Sequence, residues 1–353
     1  MPLKRNIEII FKQIPKGMPN PSTDFEIRKG TIDVDNVNLK EHEIVVRSLW
    51  ASVDPYMRGR LRDPSIQNYS PAVPVGEPMT GGVVAEVVRS NSPEFQVGDV
   101  VYGMSNWAEY SILNTKSPLH GPKTIPNGRN SPLPLSYFVG LFGMPGLTAY
   151  IGLHKICQPL TAGQTLYVSA AAGAVGQVVG QYGKALGLRV VGSAGDDKKV
   201  AYLLNDLGFD AAFNYKKHED FGAILKETCP NGIDIYFENV GGKMLDAVLL
   251  HCNKDARIPV CGMISQYNLD NQEPLYNMMQ IISRRIRIQG FIMSDDMAKY
   301  APEGIQVFTK LVKEGKMKYK EDVTEGIEQL PEAFVGMLQG KNFGKAVVHI
   351  ADL

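Results

Sequence analysis

The segment Tyr167-Val168-Ser169-Ala170-Ala171-Ala172-Gly173-Ala174-Val175-Gly176 carries the most legible chemistry in this chain. It reads as a strand, then A-x-x-G-x-x-G, then the start of a helix. Small residues there let a pyrophosphate settle against backbone amides at a helix N-terminus, where the dipole favours anions. Gly176 lets the helix pack closely on the strand. Alanine stands where the first glycine of a dinucleotide fingerprint is usual, so the strand–turn–helix context carries the reading. The competing reading is a small-residue turn with no ligand.

The end of the following strand bears on which dinucleotide would bind. Sites for NAD place an acid about 20 residues on, to hold the ribose 2′-hydroxyl. Here the strand closes on Ser193-Ala194-Gly195, followed by Asp196-Asp197-Lys198-Lys199. Counting alone nominates Asp196. Acids are favoured at helix N-termini, so Asp196 and Asp197 read instead as the start of the next helix. Ala194 or Gly195 then holds the acid's usual place, which leaves room for a 2′-phosphate within reach of Lys198 or Lys199. The alternative is a solvated helix start.

The elements that must position these residues follow from periodicity. Residues 6–14 and 43–52 alternate apolar and polar side chains, and 82–88 and 99–102 are valine-rich runs flanked by glycine, as short strands require. Residues 118–134 form a connection rich in Pro, Gly and Asn. Beyond it, strand runs at 165–170, 189–194, 211–215, 233–237, 258–261 and 286–291 alternate with helical stretches at 176–186, 199–207, 221–229 and 244–252. That rhythm suits right-handed βαβ units on a parallel sheet. Residues 305–312 and 331–338 read as amphipathic helices and 346–350 as a last strand.

Composition narrows the class. The chain has 353 residues, 44% hydrophobic and 21% charged, which is ample for a core and too apolar for general disorder. Lys plus Arg and Asp plus Glu are 37 each, a balance that gives no footprint for nucleic acid or an anionic membrane. Cys157, Cys229, Cys252 and Cys261 form no CxxC and read as reduced thiols of a cytosolic protein. The N-terminus lacks the apolar run of a signal peptide. The uncharged stretches 131–153 and 156–183 carry prolines, glycines and polar residues, and are expected to be buried elements rather than membrane spans.

Several further segments carry a resemblance: Val53-Asp54-Pro55-Tyr56-Met57-Arg58, Gly143-Met144-Pro145-Gly146-Leu147-Thr148-Ala149-Tyr150, Leu207-Gly208-Phe209-Asp210, Asn214-Tyr215-Lys216, Asn239-Val240-Gly241-Gly242 and Cys261-Gly262-Met263-Ile264-Ser265-Gln266-Tyr267-Asn268. With the glycine turn, they are similar to the zinc-free prostaglandin reductase and alkenal double-bond reductase family of the medium-chain dehydrogenase/reductase superfamily. The matches run in order over nearly the whole chain. The resemblance implies an α/β protein: a Rossmann doubly wound parallel sheet plus a GroES-like β-rich catalytic domain. The expected boundaries are 1–124 for the first part of the catalytic domain, 125–300 for the cofactor domain and 301–353 for the return. It implies NADPH as cofactor, reduction of the carbon–carbon double bond of α,β-unsaturated aldehydes and ketones, and a homodimer.

The resemblance also assigns residues. Gly173, Ala174, Val175 and Gly176 would hold the pyrophosphate, and Lys199 and Tyr215 the 2′-phosphate. Asn239, the segment with Cys261, Ile264, Ser265 and Tyr267, then Phe291, Ile292 and Met293, and Asn342 would line the nicotinamide half. One departure is visible: Lys198 stands where the family usually has glutamate. Zinc-dependent relatives place a cysteine near Ser52 or Val53 and a Gly-His-Glu at Gly76-Glu77-Pro78. A catalytic zinc needs three protein ligands, and only Glu77 remains, expected as a structural carboxylate. His42, His120, His154, His218, His251 and His349 are isolated.

Without a metal, hydrogen bonds must polarise the carbonyl oxygen of the enal as negative charge develops there. Tyr267 is the favoured donor by resemblance, and Tyr56 a substrate-pocket residue. Met104 and Trp107 read either as pocket wall or as barrel core. Two other functions compete: a quinone reductase on the same fold, and a non-catalytic NADPH-binding protein.

Overall fold

The computed structural model describes residues 3–117 and 121–353. Pro118, where the proline-rich connection begins, and His120 lie outside them. The chain forms two compact units, Met1–Gly140 with Asp322–Leu353, and Leu141–Glu321.

In the first unit, the ten-residue strand Glu43–Ser52 organises the sheet. It pairs antiparallel with Thr80–Ser90, Tyr110–Asn114 and Lys345–His349. Its alternating side chains put Leu49 against Val84, Val100, Ile125, Val139 and Val347. A short hairpin, Lys4–Phe11 with Phe25–Ile32, accompanies it. The segment after Glu43–Ser52 is tied down by Lys345. This fully buried ammonium donates to the carbonyls of Val53 (2.7 Å) and Ala346 (2.8 Å) and to Asp54 Oδ1 (3.1 Å). The single helical turn Met57–Arg60, preceded by Tyr56, starts from that anchor.

In the second unit, six strands among the described residues form a sheet in the order Ala211–Asn214, Arg189–Ala194, Thr165–Val168, Ile233–Phe237, Cys252–Val260 and Arg287–Gly290. The pairings between them are parallel. Chain order runs outward from Thr165–Val168 in one direction, then outward from Ile233–Phe237 in the other. The order therefore reverses between those two strands, and such a sheet binds ligands there, beyond the carboxyl ends. This is the parallel sheet that the alternating pattern predicts, doubly wound as the resemblance implies.

The boundaries differ from those expected at 124/125 and 300/301. Residues 125–140 belong to the first unit, because Ile125 and Val139 are buried in its core. At the other end, one continuous helix, Met293–Lys313, runs through residue 301 and stays with the second unit, where Phe308 meets Tyr150 edge to face. Pro302 lies inside that helix, so the periodic signal read as 305–312 covers only its second half. The helix Met144–Ile151 is expected from the sequence only as part of a buried element in 131–153, with no helix assigned. It is buried on nearly every side and shows no amphipathic period.

Candidate active site

The turn after Thr165–Val168 is built for close approach. Ala170 adopts a left-handed conformation with φ 48°, which reverses the chain. A Cβ on Gly176 would lie 2.5 Å from the Ala170 carbonyl oxygen, so only glycine allows the helix Gly176–Ala185 to start there. Gly173, Ala174 and Val175 stay partly exposed above the buried Ala171, Ala172 and Gly176. The backbone is held from below, with Ala171 N donating to Ser193 O at 2.9 Å and Gly173 N to Ala170 O at 3.0 Å. A helix N-terminus behind small, reachable residues suits the pyrophosphate of a dinucleotide.

The adjoining strand Arg189–Ala194 ends as the sequence suggests. Asp196 caps the helix Asp197–Asn205, its side chain accepting from Lys198 N at 2.8 Å. Asp197 is engaged by Asn214 Nδ2 at 2.8 Å and Lys217 Nζ at 2.6 Å, which hold its carboxyl below the usual range. Both acids are thus engaged within the protein. At the end of the strand, a Cβ on Gly195 would meet Tyr215 Oη at 2.9 Å and Lys216 Cε at 3.2 Å. Tyr215 and Lys216 thus crowd the end of this strand, and Lys199 follows one turn into the capped helix. Lys216 was missed in the sequence reading. Its signal was adjacency to Tyr215, visible only once the two strands were known to be neighbours.

Of the segments assigned to the nicotinamide half, those of the second unit come together at the end of Ile233–Phe237. Cys261 N donates to Glu238 O (2.9 Å), Ile264 N to Asn239 O (3.1 Å) and Ser265 Oγ to Val240 O (2.6 Å). Asn239 uses its side-chain amide on Ser169 O at 2.8 Å. Phe291 is buried edge-on against Phe237, with Ile292 and Met293 opening the long helix beside it.

Tyr267 closes this group. Its phenol oxygen accepts the amide of Met263 at 3.2 Å, which uses a lone pair and not the phenol's proton. Gly262 makes room for it, since a Cβ there would sit 2.9 Å from the phenol oxygen. Burial raises the Tyr267 pKa, so the hydroxyl keeps its proton throughout the neutral range. Burial also pushes the Cys261 thiol up to about 12, so it is no nucleophile.

Glu238 was also missed. One of its oxygens, Oε1, accepts from the Val240 amide, the Gly241 amide (2.9 Å), Tyr236 Oη (2.9 Å) and Ser169 Oγ (3.3 Å). A single acid after an apolar strand was its signal. Only the fold shows that it sits fully buried beneath the Asn239–Gly241 turn and Ser169.

In the first unit, Tyr56 follows the anchored Asp54, and its hydroxyl lies 3.9 Å from Met104 Sδ. Burial first, then the charge of Asp54, raises its pKa, so it too is a neutral donor. Asn342 donates to Gly344 O at 2.7 Å. Trp107 is fully buried, edge-on to Phe334 and crowding Gly81, which accords with the core alternative of its two readings. Glu77 is a correction: its carboxylate is exposed, and its main-chain carbonyl makes the structural bond, to Phe11 N at 2.9 Å. Ser52, near the zinc-ligand position, is buried and donates to Asp54.

Two family models match this chain: an N-terminal domain of oxidoreductases over residues 7–120, and a zinc-binding dehydrogenase domain over 174–310. A 2-alkenal reductase (NADP(+)-dependent) from Nicotiana tabacum is 46% identical over 98% of each chain. The chain belongs to the zinc-free alkenal double-bond reductase and prostaglandin reductase family. Among other family members, prostaglandin reductase 1 of Rattus norvegicus is 41% identical over 94% of this chain and 95% of its own. The crystal structure of CurA from Vibrio vulnificus in complex with NADPH superposes with a TM-score of 0.89 at 41% identity, covering 98% of this chain and 100% of that one. Membership explains why the zinc in the second domain's description has no counterpart at Ser52 and Glu77.

Proposed function

We propose that this protein uses NADPH to reduce the carbon–carbon double bond of α,β-unsaturated aldehydes and ketones. Bound NADPH supplies the hydride, which goes to the β-carbon. The chain's own residues do the rest. The turn from Gly173 to Gly176 and its helix dipole receive the pyrophosphate, while Lys199, Tyr215 and Lys216 bind the 2′-phosphate. Tyr267 donates its proton in a hydrogen bond to the substrate carbonyl oxygen and stabilises the enolate charge that develops there. Tyr56, with Met104 beside it, lines the substrate pocket. The α-carbon takes its proton from Tyr267 or from water.

One observation carries this reading. Tyr267 is held through its oxygen lone pair by the Met263 amide, on a segment stitched to the end of Ile233–Phe237, at the reversal point of the sheet. The test is NADPH consumption against short alkenals, cyclic enones, long-chain keto-lipids and quinones. Turnover of enals and enones above quinones is expected, and turnover of quinones alone would overturn the proposal.

A homodimer is part of the same proposal. Arg287–Gly290 ends the order of the parallel sheet, and the stretch before it exposes Tyr276 (80%), Met279 (69%) and Ile282 (70%). An apolar patch beside a sheet edge invites a second copy. Ile282→Glu should shift the light-scattering mass towards that of one chain. A cytosolic setting accords with the four cysteines being free, and among the described residues no helix is long and apolar enough to cross a membrane.

A further inference from the structure

The second unit carries a charged cavity that the reaction does not use. It lies near the N-terminal ends of the strands, away from the glycine turn, with a volume of about 410 Å³. Lys254, Arg257, Arg285 and Arg287 line it, together with Asp234 and Asp255. Asp234 is already committed, its two oxygens accepting from Thr165 N (2.8 Å) and Asn253 Nδ2 (2.9 Å). The wall therefore has an excess of two positive charges.

Two of the cations are placed side by side. Arg257 and Arg287 are directly paired in the parallel ladder between Cys252–Val260 and Arg287–Gly290. Paired residues of neighbouring strands share a face at about 4.8 Å, and like charges set opposite each other in this way are destabilising. Arg257 is only 8% exposed. Its Nη1 donates to the carbonyls of Cys157 and Pro159, and no carboxylate pairs with it among the described residues. Its Nε is buried with no hydrogen-bond partner among them. Burial lowers the Arg257 pKa and the charge of Arg287 lowers it further, partly offset by the charges of Cys157 and Asp234, which raise it. A buried guanidinium with an unused donor, held beside a second guanidinium, is costly unless an anion joins them.

We propose that this cavity is a binding site for a small oxyanion, either free phosphate or a phosphate monoester. Arg257 and Arg287 line the cavity from paired positions of neighbouring strands, and guanidinium groups suit the oxygens of a phosphate. Lys254 and Arg285 line the same cavity, and the excess of two positive charges over Asp234 and Asp255 matches a dianion. Arg257 also holds the Cys157–Pro159 backbone, so occupation would be felt where that segment meets the sheet.

The test is calorimetry on the NADPH-saturated protein, so that phosphate groups of the cofactor already fill the glycine turn and the Lys199 region. Inorganic phosphate and glycerol 3-phosphate are titrated separately at constant ionic strength. Saturable heat from either is expected, and heat from the ester alone identifies an ester as the ligand. Arg287→Gln should weaken binding about tenfold or more, since a charge-assisted hydrogen bond is lost. Lys254→Gln, at an exposed position, should weaken it in the same direction and keep the wild-type melting temperature, while Arg287→Gln, which relieves the like-charge pairing, should melt no lower than wild type without phosphate. Absence of heat from both titrants, or heat unchanged in Arg287→Gln and Lys254→Gln, overturns the proposal. Because NADPH binding is measured first, in its own titration, a failure of the cofactor reading would show separately.

Discussion

The phenol oxygen of Tyr215 stands 2.9 Å from the point where a side chain on Gly195 would begin. That closeness supports reading the glycine as a specificity element for the cofactor. An acid here could not hold a ribose 2′-hydroxyl without displacing Tyr215 and Lys216. Gly195→Asp should therefore raise the KM for NADPH at least tenfold and narrow the gap between NADPH and NADH. Lys199→Ala removes a charge-assisted bond worth about 1.5–3 kcal/mol, so NADPH affinity should fall roughly tenfold or more, with NADH almost unchanged. Steady-state kinetics with both cofactors checks each variant. Equal losses for the two cofactors would remove Lys199 from phosphate recognition.

Tyr267→Phe keeps the ring that fills the space beside Gly262 but removes the proton donor. Loss of one donor to a developing oxyanion costs about 10²–10³ in kcat. Turnover on an enone should fall on that scale, with the KM for NADPH little changed. In the unaltered protein, burial raises the Tyr267 pKa. Activity should therefore persist to alkaline pH, with any falling limb above the ordinary tyrosine value of about 10. Unchanged turnover in Tyr267→Phe would exclude it from catalysis.

Glu238 holds the Asn239–Gly241 turn through one oxygen. Glu238→Gln keeps a carbonyl acceptor for the Val240 and Gly241 amides and should fold with modest loss. Glu238→Ala leaves those amides and two hydroxyls without their acceptor, at about 1–3 kcal/mol for each buried group left unsatisfied. Urea titration should show a larger loss for alanine than for glutamine, and the KM for NADPH should rise in the same order. Equal stability of the two variants would remove Glu238 as the anchor of the turn.

Gly176→Ala should damage the turn itself. Its Cβ would fall 2.5 Å from the Ala170 carbonyl, which is backbone and cannot swing away. Overpacking of this kind costs about 1–3 kcal/mol, so a lower melting temperature and a large loss of NADPH heat in calorimetry are expected together. Native NADPH affinity in this variant would separate the turn from cofactor binding.

Stability should decline at alkaline pH. Burial pushes Cys157 and Cys252 up to about 12 and Cys229 up to about 11, and raises Tyr167 and Tyr236 as well. Unfolded thiols titrate near about 8.5 and tyrosines near about 10. Above those values the unfolded chain loses protons that the folded chain keeps, so fewer are bound in the unfolded state and stability falls as pH rises. Denaturant midpoints from pH 7 to 10.5 should be level at first and drop from about pH 8.5 onward. A midpoint that rose over this range would contradict the burial of these groups.

Local signals determined much of this protein. A strand run ending in small residues before a helix needs close backbone approach, and that constraint lies within ten consecutive positions, so the glycine turn and the capping role of Asp196 were readable from the residues. The alternation of strand and helix fixed the parallel sheet for the same reason: its period is local. Tertiary structure alone decided what depends on residues far apart in the chain. It placed Trp107 in the core against Phe334, assigned residues 125–140 to the first unit through Ile125 and Val139, and ran one helix through Pro302. It also set Lys216 beside Gly195, put Glu238 beneath its turn and paired Arg257 with Arg287. Burial and pairing are sums over neighbours brought together by long-range folding, and no short window of sequence contains them.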